Sequence, residues 1–89
     1  MKYFTTRYFY PHGIEGEAMD CTYKEFDTIE KAIKYAERYT RGLRFAGVQV
    51  EELKDDGKLG DLVYEITSDN ETFDYRKEAN HASIIQHQN

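Results

Sequence analysis

The residues of this chain that could carry out catalysis are few and widely spaced. The single cysteine is Cys21, and the nearest histidine before it is His12. A cysteine nucleophile needs a neighbouring base and surroundings that stabilise its thiolate. Cys21 instead alternates with Met19 and Tyr23, which predicts a buried structural thiol in a strand. Because nucleophile-elbow, phosphate-loop and dinucleotide motifs are also missing from the sequence, we expect a protein that is not an enzyme.

A second group of polar residues, near the C-terminal end, contains part of a metal-ligand pattern. Glu78, His81 and His87 could lie on one face of a helix. A structural metal site needs three or four ligands that further hydrogen bonds hold in place. The acidic residues at 51–65 lack the D-x-D-x-D-G spacing of a calcium loop. We therefore expect neither a metal ion nor a cofactor.

Acidic residues concentrate in the second half of the chain. The formal net charge is −5, and residues 45–89 hold four Lys or Arg against ten Asp or Glu. An acidic surface suits a partner protein with a basic surface and repels phosphate groups. The predicted binding surface, here called the acidic set, consists of Glu51, Glu52, Asp55, Asp56, Asp61 and Glu65. A charged hairpin end that prevents edge strands from pairing would give the same pattern.

A run of basic residues forms a stripe along a predicted helix. This basic stripe consists of Lys31, Lys34, Arg38 and Arg41. Such a stripe suits contact with phosphate groups or with an acidic partner. The solvated outer face of an ordinary amphipathic helix has the same pattern, and Glu30 and Glu37 flank the stripe with opposite charge. Nucleic acid is therefore the alternative partner rather than the preferred one.

Strands must position most of these residues. Aromatic and β-branched residues from Lys2 to Tyr10 predict a first strand, central in its sheet because both faces carry aromatic rings. Alternation from Met19 to Tyr23 predicts a second strand that pairs with the first as a hairpin. Alternation also predicts strands around 46–50 and 62–67, joined by a tight turn at Asp55-Asp56-Gly57-Lys58.

The helix between the two predicted hairpins has the clearest pattern in the chain. It is predicted over Thr28–Arg41, with Asp27 as N-cap, Thr28 as the alternative N-cap, and Gly42 just beyond its end. Its apolar stripe consists of Ile29, Ala32, Ile33, Ala36 and Thr40.

These elements predict a small single α+β domain over residues 1–75. The order ββαββ implies a four-stranded, mostly antiparallel sheet with one helix packed on one face. The segment Thr72–Tyr75 is either a short edge strand, which could pair with its copy in a homodimer, or the entry to a helix. Residues 76–89 form a polar tail, expected as a short weak helix or a frayed end.

The composition favours binding over catalysis. The chain of 89 residues contains eight Tyr and five Phe, and Tyr provides rigid, half-apolar contact surface. One cysteine and the lack of an apolar leader or membrane segment lead us to expect a cytoplasmic protein without a membrane partner. The preferred hypothesis is a non-catalytic protein-binding module, a small regulator or inhibitor acting through an acidic, Tyr-rich surface. A compact acidic domain of this kind would suit a phage or mobile element that blocks a nucleic-acid-handling complex of its host. The alternative is a nucleic-acid-binding module that uses the basic stripe.

Overall fold

One antiparallel sheet of five strands and one helix make up the structure, a computed structural model that describes residues 1–14, 16–38 and 40–76. The elements are β1 (Lys2–Phe9), β2 (Asp20–Phe26), α1 (Ile29–Ala36), β3 (Phe45–Leu53), β4 (Leu59–Ile66) and β5 (Thr72–Asp74). The predicted α+β class is confirmed. The predicted four strands and the ββαββ order are corrected to five strands and ββαβββ, because Thr72–Asp74 pairs with β4 as an edge strand.

The first strand lies inside the sheet, between β2 and β3. The strand order is β2-β1-β3-β4-β5, and every pair of neighbours is antiparallel. The predicted central position of β1 and its pairing with β2 are both confirmed. Because β2 and β3 both run antiparallel to β1, they run in the same direction as each other. The helix α1 connects them and packs mainly over β1.

The start of α1 is fixed by a threonine. The Thr28 hydroxyl accepts a hydrogen bond from the Lys31 backbone N–H at 3.2 Å, which satisfies one of the free donors of the first turn. The prediction of Asp27 as N-cap is therefore wrong, and the alternative, Thr28, is the observed N-cap. Asp27 instead forms an ion pair with Lys31 at 3.2 Å.

The helix is shorter than its sequence pattern predicts. It ends at Ala36, with Glu37 as C-cap. The predicted helix end at Arg41, with Gly42 just beyond it, is therefore wrong. The Arg38 N–H bonds to the Tyr35 carbonyl at 3.2 Å, which tightens the last turn. Beyond Ala36 the apolar stripe offers only the polar Thr40, so another turn would bury little apolar surface to hold it against the sheet.

The core lies between α1 and the three strands β1, β3 and β4. Its buried apolar residues are Ala32, Ala36, Val48, Val50, Tyr64 and Ile66. Thr5 is also fully buried, and its hydroxyl donates to the Ala32 carbonyl at 3.4 Å. In the described part of the chain, every buried side-chain nitrogen or oxygen has a hydrogen-bond partner. The small alanine side chains therefore allow α1 to approach the sheet closely without leaving a polar group unsatisfied.

The predicted tight turn between β3 and β4 is confirmed. The Lys54 N–H bonds to the Lys58 carbonyl and the Gly57 N–H to the Lys54 carbonyl, both at 2.9 Å. Gly57 has a φ of 83°, which only glycine adopts readily. The Asp56 carboxylate accepts the Lys58 N–H at 3.0 Å. These bonds fix the turn while leaving its acidic residues exposed.

The helix α1 covers one face of the sheet and not the other. Thr5 and Arg7 bond to carbonyls of Ala32 and Arg38, so they lie on the helix side. Because side chains alternate along a strand, Phe4 and Tyr8 lie on the opposite side. The helix α1 does not pack on that side, which is here called the open face. The sheet therefore has one covered and one open face.

Enlarging an alanine beneath the helix tests the close approach of α1. We expect Ala32→Leu to lower the free energy of unfolding by about 1–3 kcal/mol, because extra methyl groups must displace close-packed neighbours. Urea unfolding followed by circular dichroism measures the change. Leu43→Ala is the control, since Leu43 is 86% exposed, and it should change stability by less than about 0.5 kcal/mol. Equal stability of Ala32→Leu and the unmodified protein would contradict the close packing.

The Tyr64 phenol makes a second, pH-dependent contribution to stability. Burial, followed by the nearby Glu37 carboxylate, raises the pKa of Tyr64 above its ordinary value of 10.0. The folded protein thus holds the phenol proton more tightly than the unfolded chain does. The contribution of Tyr64 to stability is fully present below about pH 10 and is lost as the pH rises towards the raised pKa. We expect Tyr64→Phe to lose stability less steeply above about pH 10 in urea titrations. Parallel pH curves for the two proteins would rule out this contribution.

Candidate functional site

The residues considered for covalent catalysis do not come together. Cys21 is exposed on the edge strand β2, so the prediction of a buried thiol is wrong. The reason is its position: its register partner is Tyr8 of the open face, where no described helix covers it. His12 lies 3.3 Å from Glu17, between Nδ1 and Oε1. Burial alone would raise the pKa of Glu17, but backbone N–H groups of His12 and Ile14 and the His12 ring hold it below its ordinary value.

The structure gives no support to a metal site within the residues that it describes. In 1–14, 16–38 and 40–76, no group of three or more His, Cys, Asp or Glu side chains is arranged to hold a metal ion. Glu78, His81 and His87, which carry the partial ligand pattern, lie outside the described residues. Most of the predicted tail, residues 77–89, also lies outside them.

The acidic set is divided among three places. Glu51 and Glu65 lie on the open face, because their register partners on that side are Phe4 and Gln49. Asp55 and Asp56 are in the β3–β4 turn. Glu52 pairs with Tyr3 of the helix side, and its carboxylate accepts the Asp61 N–H at 3.3 Å. The six carboxylates therefore do not form one continuous surface.

The open face contains a different arrangement of acids around an aromatic ring. The rings of Phe4 and Tyr23 stack with their centroids 5.2 Å apart and their planes at 27°. The register partners of Phe4 are Glu25 on β2 and Glu51 on β3. We call these four residues the open-face cluster. It places an aromatic stack between two carboxylates, and this is an arrangement that attracts a cationic side chain.

The other end of the open face is already hydrogen-bonded internally. The Glu65 carboxylate accepts bonds from Tyr75 at 2.5 Å and from Gln49 at 3.4 Å. The Tyr8 hydroxyl lies 3.5 Å from the Gln49 side-chain oxygen. Because these groups satisfy one another, Glu65 is less available to a partner than Glu51 is.

On the helix side, basic residues line a groove between β2 and α1. This basic groove has a volume of about 210 Å³ and is lined by Lys24, Phe26, Lys31, Lys34, Tyr35 and Arg38. The Phe26 and Tyr35 rings both line it and contact each other, with their centroids 5.2 Å apart and their planes at 45°. Three members of the basic stripe thus lie together here, joined by Lys24 from the neighbouring strand.

Two cations lie over the aromatic rings of the groove. The Arg7 guanidinium lies 5.5 Å from the Tyr35 ring centroid. The Lys24 ammonium lies 5.6 Å from the Phe26 centroid and 5.8 Å from that of Tyr35. Arg7 also donates to the Arg38 carbonyl at 2.9 Å. Because the face of an aromatic ring is electron-rich, it reduces the repulsion among cations that share it.

The acidic residues of α1 turn away from the groove. Glu37 accepts a hydrogen bond from Tyr64 of β4 at 3.3 Å. Arg76 follows β5, and its pKa is raised first by its hydrogen bond to Asp74 and also by the negative charge of Glu30. The carboxylate at the groove belongs to Asp27. The hydrogen bond and the positive charge of Lys31 hold the pKa of Asp27 below its ordinary value. The flanking acids considered from the sequence therefore do not neutralise the groove.

A second depression, the arginine pocket, adjoins the groove at the end of α1. It has a volume of about 240 Å³ and is lined by Arg7, Tyr8, Phe9, Thr22, Arg41, Arg44 and Phe45. The chain that carries Arg41 and Arg44 is held by two backbone bonds, from Tyr10 to Arg44 at 2.7 Å and from Phe45 to Gly42 at 3.3 Å. A nearby carboxylate belongs to Asp20, the register partner of Phe9.

Sequence reasoning missed part of each surface. It selected Glu51 but not Phe4, Tyr23 or Glu25, although the hairpin register of β1 and β2 would have placed them together. It selected the helical stripe but not Arg7, Lys24 and Arg44, which other elements contribute. Only the topology brings residues so distant in sequence to one side.

Comparison of the chain with protein-family models, curated proteins and solved structures finds no match. Within the described residues, no helix has the length and apolar character that a membrane crossing requires. Function must therefore be inferred from the two surfaces themselves.

The exposure of Cys21 gives a direct test of the open face. We expect Ellman's reagent to label Cys21 in the native protein nearly as fast as in the urea-unfolded chain, because the thiol is solvent-accessible. The absorbance of the released thiolate measures the rate. Protection of the thiol until the protein unfolds would mean that something covers the open face.

Proposed function

We propose that this domain is a non-catalytic protein-binding module that binds a basic partner protein through its open face. The observation that carries the proposal is the position of Phe4, which lies between Glu25 and Glu51 in the strand register and stacks on Tyr23. A lysine or arginine side chain of the partner is the group that this arrangement suits best.

The chemistry of the open-face cluster supports a cationic ligand. A cation over an aromatic ring gains about 0.5–1 kcal/mol at an exposed site and more when water is excluded. Hydrogen bonds from an ammonium or guanidinium group to a carboxylate are stronger than those between neutral groups. Phe4 is half-buried, so its ring is held in place, whereas Tyr23 is 67% exposed and available for contact.

The same surface suggests how the domain would act. Proteins that handle nucleic acids present basic surfaces to phosphate groups. An acidic, aromatic face that binds such a surface would compete with the nucleic acid, as a small regulator or inhibitor does. A phage or mobile element that blocks a host complex would use such a domain in this way.

Binding of an oligo-arginine peptide tests the proposal. We expect the double variant Glu25→Gln/Glu51→Gln to bind the peptide about tenfold more weakly than the unmodified protein, because it loses both carboxylates beside Phe4. Isothermal titration calorimetry at low salt measures the affinity. Phe4→Leu should also weaken binding while keeping apolar volume in the sheet.

A matched control separates the cluster from general charge attraction. Asp55→Asn/Asp56→Asn removes the same amount of negative charge from the β3–β4 turn, and it should change the affinity less than twofold. Equal weakening by the two double variants would assign the binding to net charge and contradict the proposal. Absence of binding to the unmodified protein would contradict it as well.

A further inference from the structure

Arg7 links the basic groove to the arginine pocket. Arg7 lines the pocket, and its guanidinium also lies over the Tyr35 ring of the groove. We call the joined surface the basic track; its cations are Arg7, Lys24, Lys31, Lys34, Arg38, Arg41 and Arg44. Of the eight Lys and Arg residues in 1–44, only Lys2 lies outside the track.

This concentration of charge opposes stability, so folding alone does not account for it. Lys31 and Lys34 are three residues apart on α1, a spacing at which like charges repel. Lys24 and Arg38 line the same groove and add positive charge to it. Within the described part of the chain, Lys24, Lys34 and Arg38 form no ion pair with a carboxylate. The chain as a whole carries a net charge of −5. A bound anion would remove this repulsion.

We propose that the basic track binds the sugar-phosphate backbone of single-stranded nucleic acid. Lysine and arginine side chains supply the contacts that phosphate groups need. The groove is a recess between a strand and a helix, so it admits one chain, whereas the convex surface of a duplex would meet only its rim. Half-buried Phe26 and Tyr35 in the groove and Phe9 and Phe45 in the pocket offer apolar surface to bases.

This binding is independent of the proposed protein partner. The basic track lies on the helix side of the sheet, and the open-face cluster lies on the other side. The four residues of the open-face cluster do not line the track, although Tyr8, on the open side of β1, lines the arginine pocket. One domain could therefore hold a nucleic acid strand on one side and a basic protein on the other.

Fluorescence anisotropy with a labelled oligothymidine, over a range of salt concentrations, tests the inference. We expect binding at low salt that weakens steeply as salt is added. Lys34→Gln/Arg38→Gln should reduce affinity at least tenfold and make the slope of log K against log salt shallower by about 1.4, as expected for two lost phosphate contacts. Both side chains are exposed, so circular dichroism should show an unchanged fold.

Two comparisons decide the outcome. Lys54→Gln/Lys58→Gln removes the same charge from the β3–β4 turn and should leave both the affinity and the slope unchanged; an equal loss in this variant would overturn the basic track as the site. Tighter binding of a duplex, or of heparin at equal charge, would overturn the assignment to single-stranded nucleic acid, as would no binding at low salt. Glu25→Gln/Glu51→Gln should bind oligothymidine no more weakly than the unmodified protein does. Failure of the protein-partner proposal can therefore be told apart from failure of the nucleic-acid proposal.

Discussion

Two alanines on the underside of α1 determine how closely the helix lies over the sheet. Ala32 and Ala36 are fully buried against valines of β3, and the Ala32 carbonyl receives the Thr5 hydroxyl. Larger side chains would lift the helix and separate this bond. The close approach also brings Tyr35 to the β2 edge, where Arg7 and Lys24 reach its ring. The helix-side surface thus depends on the packing of two small residues.

The short helix has a second effect, on the opposite side of the sheet. The eight residues of α1 cover one face of the five strands. The central strand β1 therefore presents Arg7 to the covered side and Phe4 to the open side. The open-face cluster places two acidic residues beside an aromatic stack, and the basic groove places four basic residues beside another.

Local patterns predicted the elements of the fold well, and long-range contacts explain what they missed. Alternation and turn residues located β1 and the β3–β4 hairpin, because those signals are local. The end of α1 was misplaced since its length depends on how much sheet lies beneath it. Cys21 was expected to be buried from its alternation with polar residues. Alternation shows which face of a strand a residue lies on, but not whether another element covers that face. For the surfaces, the helical spacing of Lys31, Lys34 and Arg38 was visible, but Arg7, Lys24 and Glu25 join their neighbours only through strand order and register.

The central position of β1 also limits how this sequence can vary in length. Side chains alternate along β1, so inserting or deleting one residue within Lys2–Phe9 would exchange the sides of all residues beyond it. A change before Arg7 would move Arg7 to the open face, and its place on the helix side would go to Tyr8 after a deletion or to Thr6 after an insertion. The loop before β2 and the turn at Gly57 carry no such restriction. During evolution, homologous chains should gain or lose residues at those loops while the length of β1 stays fixed.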